Sequence, residues 1–443
     1  MSNRQPATKF RAKIRMYRQG LGDCFLVTLP RQDGSGSFTI LIDCGVIQGT
    51  PNATTRMTEV LDDVAATCNG KIDLLVVTHE HADHLSGFLQ ARSIFDKLVV
   101  DKVWMGWTED PDDPVAKGLA SNRKEALAAL QASQQRLHLD GNPEAARELG
   151  NILGFFAADG GGTTHQALEI VRAKAAPRYC RPDDAPVTFP GVEATFYVLG
   201  PPTDPAQLRK TLPSKANPET YEAGGLEADG LAFFMNSVKP CLDDTPDAPF
   251  GPMWQIPFAV ARGMPFFKHR YWGEQDHDWR RIDTAWLEGS AEFALQLDSL
   301  TNNTSLVIAI ELAEGDVLLF AADAQVGNWL SWQGLTWEYG GRTVTGPDLL
   351  RRTRIYKVGH HGSHNATLRQ QGLETMHDLA AALLPVDRAM AQKKNWSRMP
   401  LPSLVTRLTE LTGHRLLRAD EPRPPTLATE VSETPLYFEY TVV

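Results

Sequence analysis

Three imidazoles and two carboxylates fall within the six residues after Thr78 in Thr78-His79-Glu80-His81-Ala82-Asp83-His84, and the three imidazoles and Asp83 are the candidate donors. Neutral imidazoles and carboxylates ligate zinc and similar divalent ions, and clusters this dense are rare outside metal sites. On a tight turn, His79 and His81 can face one cation while Asp83 and His84 face a second. Two later parts of the chain offer further donors. Asp323 follows the apolar run Val317 to Phe320, where the bland alternative is a turn residue after a strand. His360 and His361 open the turn His360-His361-Gly362-Ser363-His364, and at least one of the two is expected to be a ligand. We place the metal on His360 and give His361 a catalytic part, touching substrate oxygen or donating a proton to the leaving group; spacing alone leaves the two interchangeable. Two cations sharing a water would lower its pKa from about 16 towards about 7. Asp83 would orient the resulting hydroxide, and Ser363 and Thr367 would help hold a phosphate or leaving group. His364 reads as loop surface. His138, His165, His269, His277, His377 and His414 lie outside any ligand spacing.

These donors need strands to hold them. Ile72 to Val77, apolar except for Asp73, reads as a strand buried on both faces, and the histidine turn follows it directly. Ala12 to Tyr17, Cys24 to Leu29 and Phe38 to Ile42 read as β, broken by Gly20-Leu21-Gly22-Asp23 and by Arg31 to Ser37. Strands are also expected at 97–104, 186–200, 305–312, 316–321, 354–358 and 436–442. Helices are expected at 55–68, 85–95, 121–138, 143–157, 367–382 and 401–412, with helical pieces near 222–238 and 283–298. Alternating β runs and helices predict an α/β layered fold, with sheets covered by helices. The chain reads as one domain over 1–443, carrying a helical insertion at about 108–180 and an irregular, aromatic-rich one at 203–300.

Composition narrows the function classes. A net charge of −10 argues against a uniformly basic protein that coats nucleic acid, while leaving room for a local basic groove. No apolar run approaches the roughly 20 residues needed to span a bilayer, and Met1 to Arg18 has no signal-peptide pattern, so no membrane role and a cytoplasmic location are expected. The five cysteines, Cys24, Cys44, Cys68, Cys180 and Cys241, form no C-x-x-C pair and indicate neither a disulfide framework nor a zinc ribbon.

His-x-His-x-Asp-His after a strand resembles the signature of the metallo-β-lactamase superfamily. Gly22-Asp23 and Ile42-Asp43-Cys44-Gly45 resemble that family's first hairpin, Phe320-Ala321-Ala322-Asp323 its strand ending in a bridging carboxylate, and Lys357-Val358-Gly359-His360-His361-Gly362-Ser363 its late histidine loop. Val198-Leu199-Gly200-Pro201-Pro202, Asn302-Asn303-Thr304-Ser305-Leu306-Val307 and a terminal segment, Pro402 to Leu417, resemble the hydrolase domain of ComEC-type DNA-uptake proteins and their stand-alone relatives. The resemblance implies an αββα sandwich of two sheets and two divalent ions held by His79, His81, Asp83, His84, Asp323 and His360. Where many members carry a further histidine ligand, this chain has Asn302, Asn303 and Thr304. The first ion would then have His79, His81, Asp323 and solvent, which makes manganese plausible beside zinc. Asn303 is a candidate substrate contact there, with a turn residue at strand entry as the plain alternative.

The resemblance favours a phosphodiester substrate, DNA foremost. Phosphate contacts could come from Arg351, Arg352, Arg354 and Lys357, or from Lys393, Lys394 and Arg398 near Trp396. The alternative for such short clusters is a solvated surface. In the second insertion, Trp254, Phe258, Phe266, Phe267, Tyr271, Trp272 and Trp279 form a second small core, stack bases, or bind a protein partner. Two other functions stay open: hydrolysis of a small ester or phosphocholine-type diester, and a metal-stabilised binding module without catalysis.

Overall fold

In the computed structural model, which describes residues 10–139, 143–156, 163–214, 218–221, 256, 258–271 and 290–443, fifteen strands matter for the site. They are β1 (Ala12–Tyr17), β2 (Cys24–Pro30), β3 (Ser37–Cys44), β4 (Leu74–Val77), β5 (Val103–Gly106), β6 (Pro177–Cys180), β7 (Val187–Thr188), β8 (Ala194–Gly200), β9 (Val307–Leu312), β10 (Val317–Phe320), β11 (Thr353–Lys357), β12 (Ala381–Leu384), β13 (Leu416–Arg418), β14 (Val431–Glu433) and β15 (Tyr437–Val442). An eight-stranded sheet runs β14-β15-β1-β2-β3-β4-β5-β6, and a seven-stranded sheet runs β13-β12-β11-β10-β9-β8-β7. The fold is mixed α/β.

Each sheet joins an antiparallel part to a parallel part. In the first, β3, β4, β5 and β6 are parallel. In the second, β10, β11, β12 and β13 are parallel. Strands buried on both faces lose the alternation of a half-exposed strand, and β4 accordingly reads Leu-Leu-Val-Val with every residue buried. Parallel strands end together, so the loops at their carboxyl ends gather at one edge of each sheet, where α/β proteins place their ligands.

Both sheets contribute to one buried cluster. Ile14, Phe25, Val27, Ile40 and Val76 of the first meet Phe196, Ile308, Ile310, Leu318, Phe320 and Ile355 of the second, and the Phe25 and Phe320 rings cross edge to face at 5.9 Å. On its other face the first sheet buries Leu26, Leu41, Leu75 and Val77 against helix α1 (Ala53–Thr67) and helix α2 (Ala82–Gln90). On the other face of the second, Tyr356 of β11 meets Trp329, from the short helix Val326–Ser331, at 6.0 Å.

The chain divides into two compact units. Met1–Ser121, Gly154–Leu226 and Asp298–Val443 form one, which carries every site residue below; Asn122–Leu153 and Glu227–Leu297 form the other. Within the second unit, Ala146, Leu149, Ile152 and Leu153 bury one side of the helix Pro143–Leu153.

Several elements differ from expectation. The helix expected over 367–382 is absent: the segment makes a short 3-10 turn at Leu373–Thr375 and then enters strand β12. Gly372 packs on the Leu368 carbonyl with no room for a side chain, and the Arg369 nitrogen donates to Glu219 O at 2.8 Å, outside any helix. β12 lies between β11 and β13, and the match of Ala381 to Leu384 to a doubly buried parallel strand outweighs their helical propensity. The piece near 222–238 lies outside the described residues, as do Cys241, Trp254, Trp272 and Trp279. The piece near 283–298 is described as the helix Ser290–Asn302. The helix Pro265–Tyr271 buries no residue, and Phe266 is exposed. Among the described residues, no helix is long and apolar enough to cross a membrane.

Candidate metal centre

Four loops meet at the carboxyl ends of β3, β4, β10 and β11. The Leu306 nitrogen, just before β9, donates to Thr78 O at 2.8 Å and joins the second sheet to the histidine turn. Asp43, at the end of β3, accepts from the Thr78 nitrogen at 2.9 Å and from the Thr78 hydroxyl at 2.7 Å. The Asp23 nitrogen donates to Asp83 O at 2.9 Å, and the Gly45 nitrogen to Asp23 O at 3.0 Å. Glycine is required at 45: a Cβ there would overlap the Asp83 carbonyl carbon and the His84 nitrogen. The loops are strained as well as close. Asp43, Ala322, His360 and His361 all have positive φ, between 42° and 55°, a region non-glycine residues enter at a cost of about 1–2 kcal/mol each. Such strain concentrates at functional sites because surrounding contacts must hold it.

Four histidines share one design: a ring nitrogen faces an outer partner while the other faces the interior. His84 Nδ1 lies 2.7 Å from Asp43 Oδ2, and its Nε2 lies 3.3 Å from Asp323 Oδ2. His361 Nδ1 donates to Pro385 O at 2.6 Å, and its Nε2 lies 2.9 Å from Asp83 Oδ2. His79 Nδ1 has the hydroxyls of Thr78 and Ser305 at 3.1 and 3.3 Å, while its Nε2 faces His81 Nδ1 at 3.0 Å. His81 turns its Nε2 towards Asp298 Oδ1, 3.7 Å away. An imidazole held this way has its tautomer and ring orientation set in advance, the usual arrangement of metal-ligating histidine.

Donor atoms of Asp23, His84, Asp323 and His361 lie within 4.8 Å of one another, all buried, and this group could hold a metal ion. His84 Nε2, Asp83 Oδ1 and Asp23 Oδ1 are buried without a hydrogen-bond partner. Buried polar atoms are rarely left so, and converging unpartnered donors fit a cation. Electrostatics point the same way. Burial opposes charge on His84, yet the carboxylates of Asp323, Asp83, Asp43 and Asp23 outweigh it and push its pKa well up. His361 is raised likewise, with Asp323, Asp83 and Asp23 outweighing burial. The carboxylates thus draw positive charge into the cluster. Burial would raise the Asp323 carboxyl, but His84, Lys357, His360 and His361 hold it well below the usual range. Burial, reinforced by the positive charge on His84, keeps His79 low. Burial also takes His81 down to about 3 and His360 down to about 4. These three are neutral at ordinary pH, with lone pairs free to bind.

Of the residues singled out in the sequence, His79, His81, Asp83, His84, Asp323, His360 and His361 are brought together. Of the late pair, His361 enters the four-residue cluster; His360 faces Asn302, whose Nδ2 lies 3.3 Å from His360 Nε2. Asn303 is fully tied into the framework, donating to the carbonyls of Gln207, Leu208 and Lys210 and accepting from the Asn328 nitrogen, so it braces the strand entry. Thr367 is buried against the Tyr356 hydroxyl at 2.9 Å. Ser363 is half-buried and bonds Asn365. Two of the late arginines turn elsewhere: Arg352 pairs with Glu311, and Arg351 with Asp348. Lys357 is no surface phosphate contact. It is buried, donates to Ala322 O at 2.8 Å, and pairs with Asp23 and Asp323.

Asp23, expected from the sequence only as part of the Gly22-Asp23 hairpin motif, adds a carboxylate to the cluster, and the glycine before it is the available signal. Asp298 carried none, since an acidic residue on an amphipathic helix is ordinary. No protein-family model matches the chain, and no curated protein sequence matches it.

Proposed function

We propose that the chain is a metal-dependent hydrolase of the metallo-β-lactamase kind, acting on phosphodiesters and DNA foremost. The reading takes the two sheets and their outer helices as an αββα sandwich. What carries it is the shared histidine design: His79, His84 and His361 each bond an outer partner through Nδ1, with Nε2 of His84 and His361 directed at buried carboxylates and Nε2 of His79 directed at His81 Nδ1. The donors fit two divalent ions, zinc or manganese, one near His79 and His81, the other among Asp83, His84, Asp323 and His361, with Asp23 beside them. Ions held there would polarise a substrate oxygen and bring the pKa of a water towards about 7.

The remaining work belongs to side chains. Asp83 Oδ1 is unpartnered, so it can accept a proton from the attacking water and orient it. Lys357 pairs directly with both Asp23 and Asp323: it helps hold the Asp323 carboxyl low and opposes the rise that burial gives Asp23. His360 moves from ligand to hydrogen-bond donor: Asn302 Nδ2 donates to its Nε2, which leaves the proton on the unpartnered Nδ1 for a substrate or leaving-group oxygen. A nucleic acid is favoured by an aromatic and basic rim. Trp396 is half-buried and stacks on Phe155 at 4.8 Å, Phe155 lies 5.5 Å from the His81 ring, and Lys393 and Arg398 are exposed beside Trp396. Aromatic faces with cations are how single strands are held without sequence preference.

The test joins elemental analysis of the purified chain to nuclease assays on plasmid and single-stranded DNA in Mn²⁺, Zn²⁺ and Mg²⁺. Stoichiometric metal and DNA cleavage that falls about 10²–10⁴-fold in Asp83→Asn are expected. A metal-loaded chain that cleaves a chromogenic ester but no DNA would overturn the substrate; a chain that retains no divalent metal would overturn the whole reading.

A further inference from the structure

Asp298 occupies a position that general stability does not explain. It lies near the C-terminal end of the helix Ser290–Asn302, where the helix dipole disfavours an anion, and the last turn carries no basic residue. It is 4% exposed. Its Oδ2 accepts from Asn302 Nδ2 at 3.2 Å, whereas its Oδ1 is buried with no hydrogen-bond partner. Burial and the negative charges of Asp83 and Asp323 all work against its ionised form. Three unfavourable factors thus bear on one carboxylate.

The atom facing that orphan oxygen is itself an orphan. His81 Nε2 lies 3.7 Å from Asp298 Oδ1, just beyond hydrogen-bond reach, and it too has no partner. His81 Nδ1 already faces His79 Nε2 at 3.0 Å. The other three histidines have their outer partners in place: Asp43 for His84, the Pro385 carbonyl for His361, and the hydroxyls of Thr78 and Ser305 for His79. His81 alone has its outer nitrogen open, opposite the one open carboxylate oxygen of this helix turn.

We propose that Asp298 is the positioning residue of His81, its Oδ1 accepting the proton on Nε2 and so turning Nδ1 towards the cation shared with His79. Asn302 completes the arm by holding Asp298 Oδ2 and His360 Nε2 from one amide nitrogen. A single helix end thereby aligns a ligand on one side of the site and a substrate-facing histidine on the other. This assignment rests on the metal-centre reading above, and the ligand it concerns is a divalent cation.

The experiment is titration of Mn²⁺ and Co²⁺ into the metal-free full-length chain, comparing the parent with Asp298→Ala and Asp298→Asn. The cobalt absorption spectrum and the melting temperature of the metal-free protein are followed alongside. In Asp298→Ala, one cation is expected to bind about 10–100-fold more weakly, the usual effect of losing a ligand's outer partner, with an altered cobalt spectrum. Asp298→Asn, whose amide oxygen still accepts from Nε2, is expected to recover part of that affinity. Both metal-free variants should melt no lower than the parent. Unchanged affinity and an unchanged cobalt spectrum in Asp298→Ala would overturn the proposal. So would a loss of metal that simply tracks a lowered melting temperature in both variants. A parent chain that binds neither cation would instead remove the metal-centre reading itself.

Discussion

Asp43 holds three donors at once: the Thr78 nitrogen, the Thr78 hydroxyl and His84 Nδ1. It does so at a φ of 55°, which asparagine tolerates nearly as well as aspartate. Asp43→Asn should therefore fold normally while lowering metal affinity about 10–100-fold, as read by chelator competition. Asp43→Ala removes every acceptor and should lower stability as well, by about 1–3 kcal/mol for each buried donor left unpaired. Lys357 makes the opposite case. Its buried ammonium offsets Asp23 and Asp323, so Lys357→Met leaves two carboxylates uncompensated. The metal-free variant should lose about 3–5 kcal/mol in chemical denaturation, and added divalent cation should restore part of it. A variant as stable as the parent would show that Lys357 is a bystander.

Whole elements hold the site through close backbone approach. The hairpin of β2 and β3 meets the histidine turn where Gly45 lies against Asp83 and His84. Gly45→Ala should force the hairpin away, lower stability by about 1–3 kcal/mol and reduce bound metal in the same preparation; full metal content at normal stability would refute this packing. On β9, Glu311 is anchored by Arg342 and Arg352, with the Tyr197 hydroxyl at 3.0 Å. Burial would raise its pKa, but the two guanidinium groups outweigh burial and lower it. A carboxylate depressed in the folded state stabilises above its unfolded value of about 4.3, and that contribution disappears as pH falls through the lower folded value. Stability should thus decline below about pH 4.3 with a component that Glu311→Gln removes, measurable as a shallower pH dependence of the denaturation midpoint.

For the whole molecule, the two sheets are joined by one apolar interior, and the site depends on that junction. Its donors come from β3 and β4 on one side and from β10 and β11 on the other. Phe25 and Phe320 meet across the interior. Phe25→Ala should destabilise by about 3–5 kcal/mol, and its effect should be non-additive with Phe320→Ala because the rings share a contact. Additive losses would mean that the sheets do not meet at these side chains.

The sequence alone determined which candidate donors share the histidine turn. His79, His81, Asp83 and His84 are consecutive enough that any tight turn after a buried strand brings them together. Asp323 and the 360–361 pair were legible for a related reason, since each follows an apolar run that predicts a strand end. Tertiary structure decided which way each side chain faces. His361 rather than His360 turns inward, Asn303 braces the backbone, and Lys357 points to the interior, because each orientation depends on partners 24 to 334 residues away, at Pro385, Gln207 and Asp23. Asp298 has no local pattern at all. Local spacing governs which atoms lie on one turn, whereas burial and the pairing of distant groups govern the direction each side chain faces.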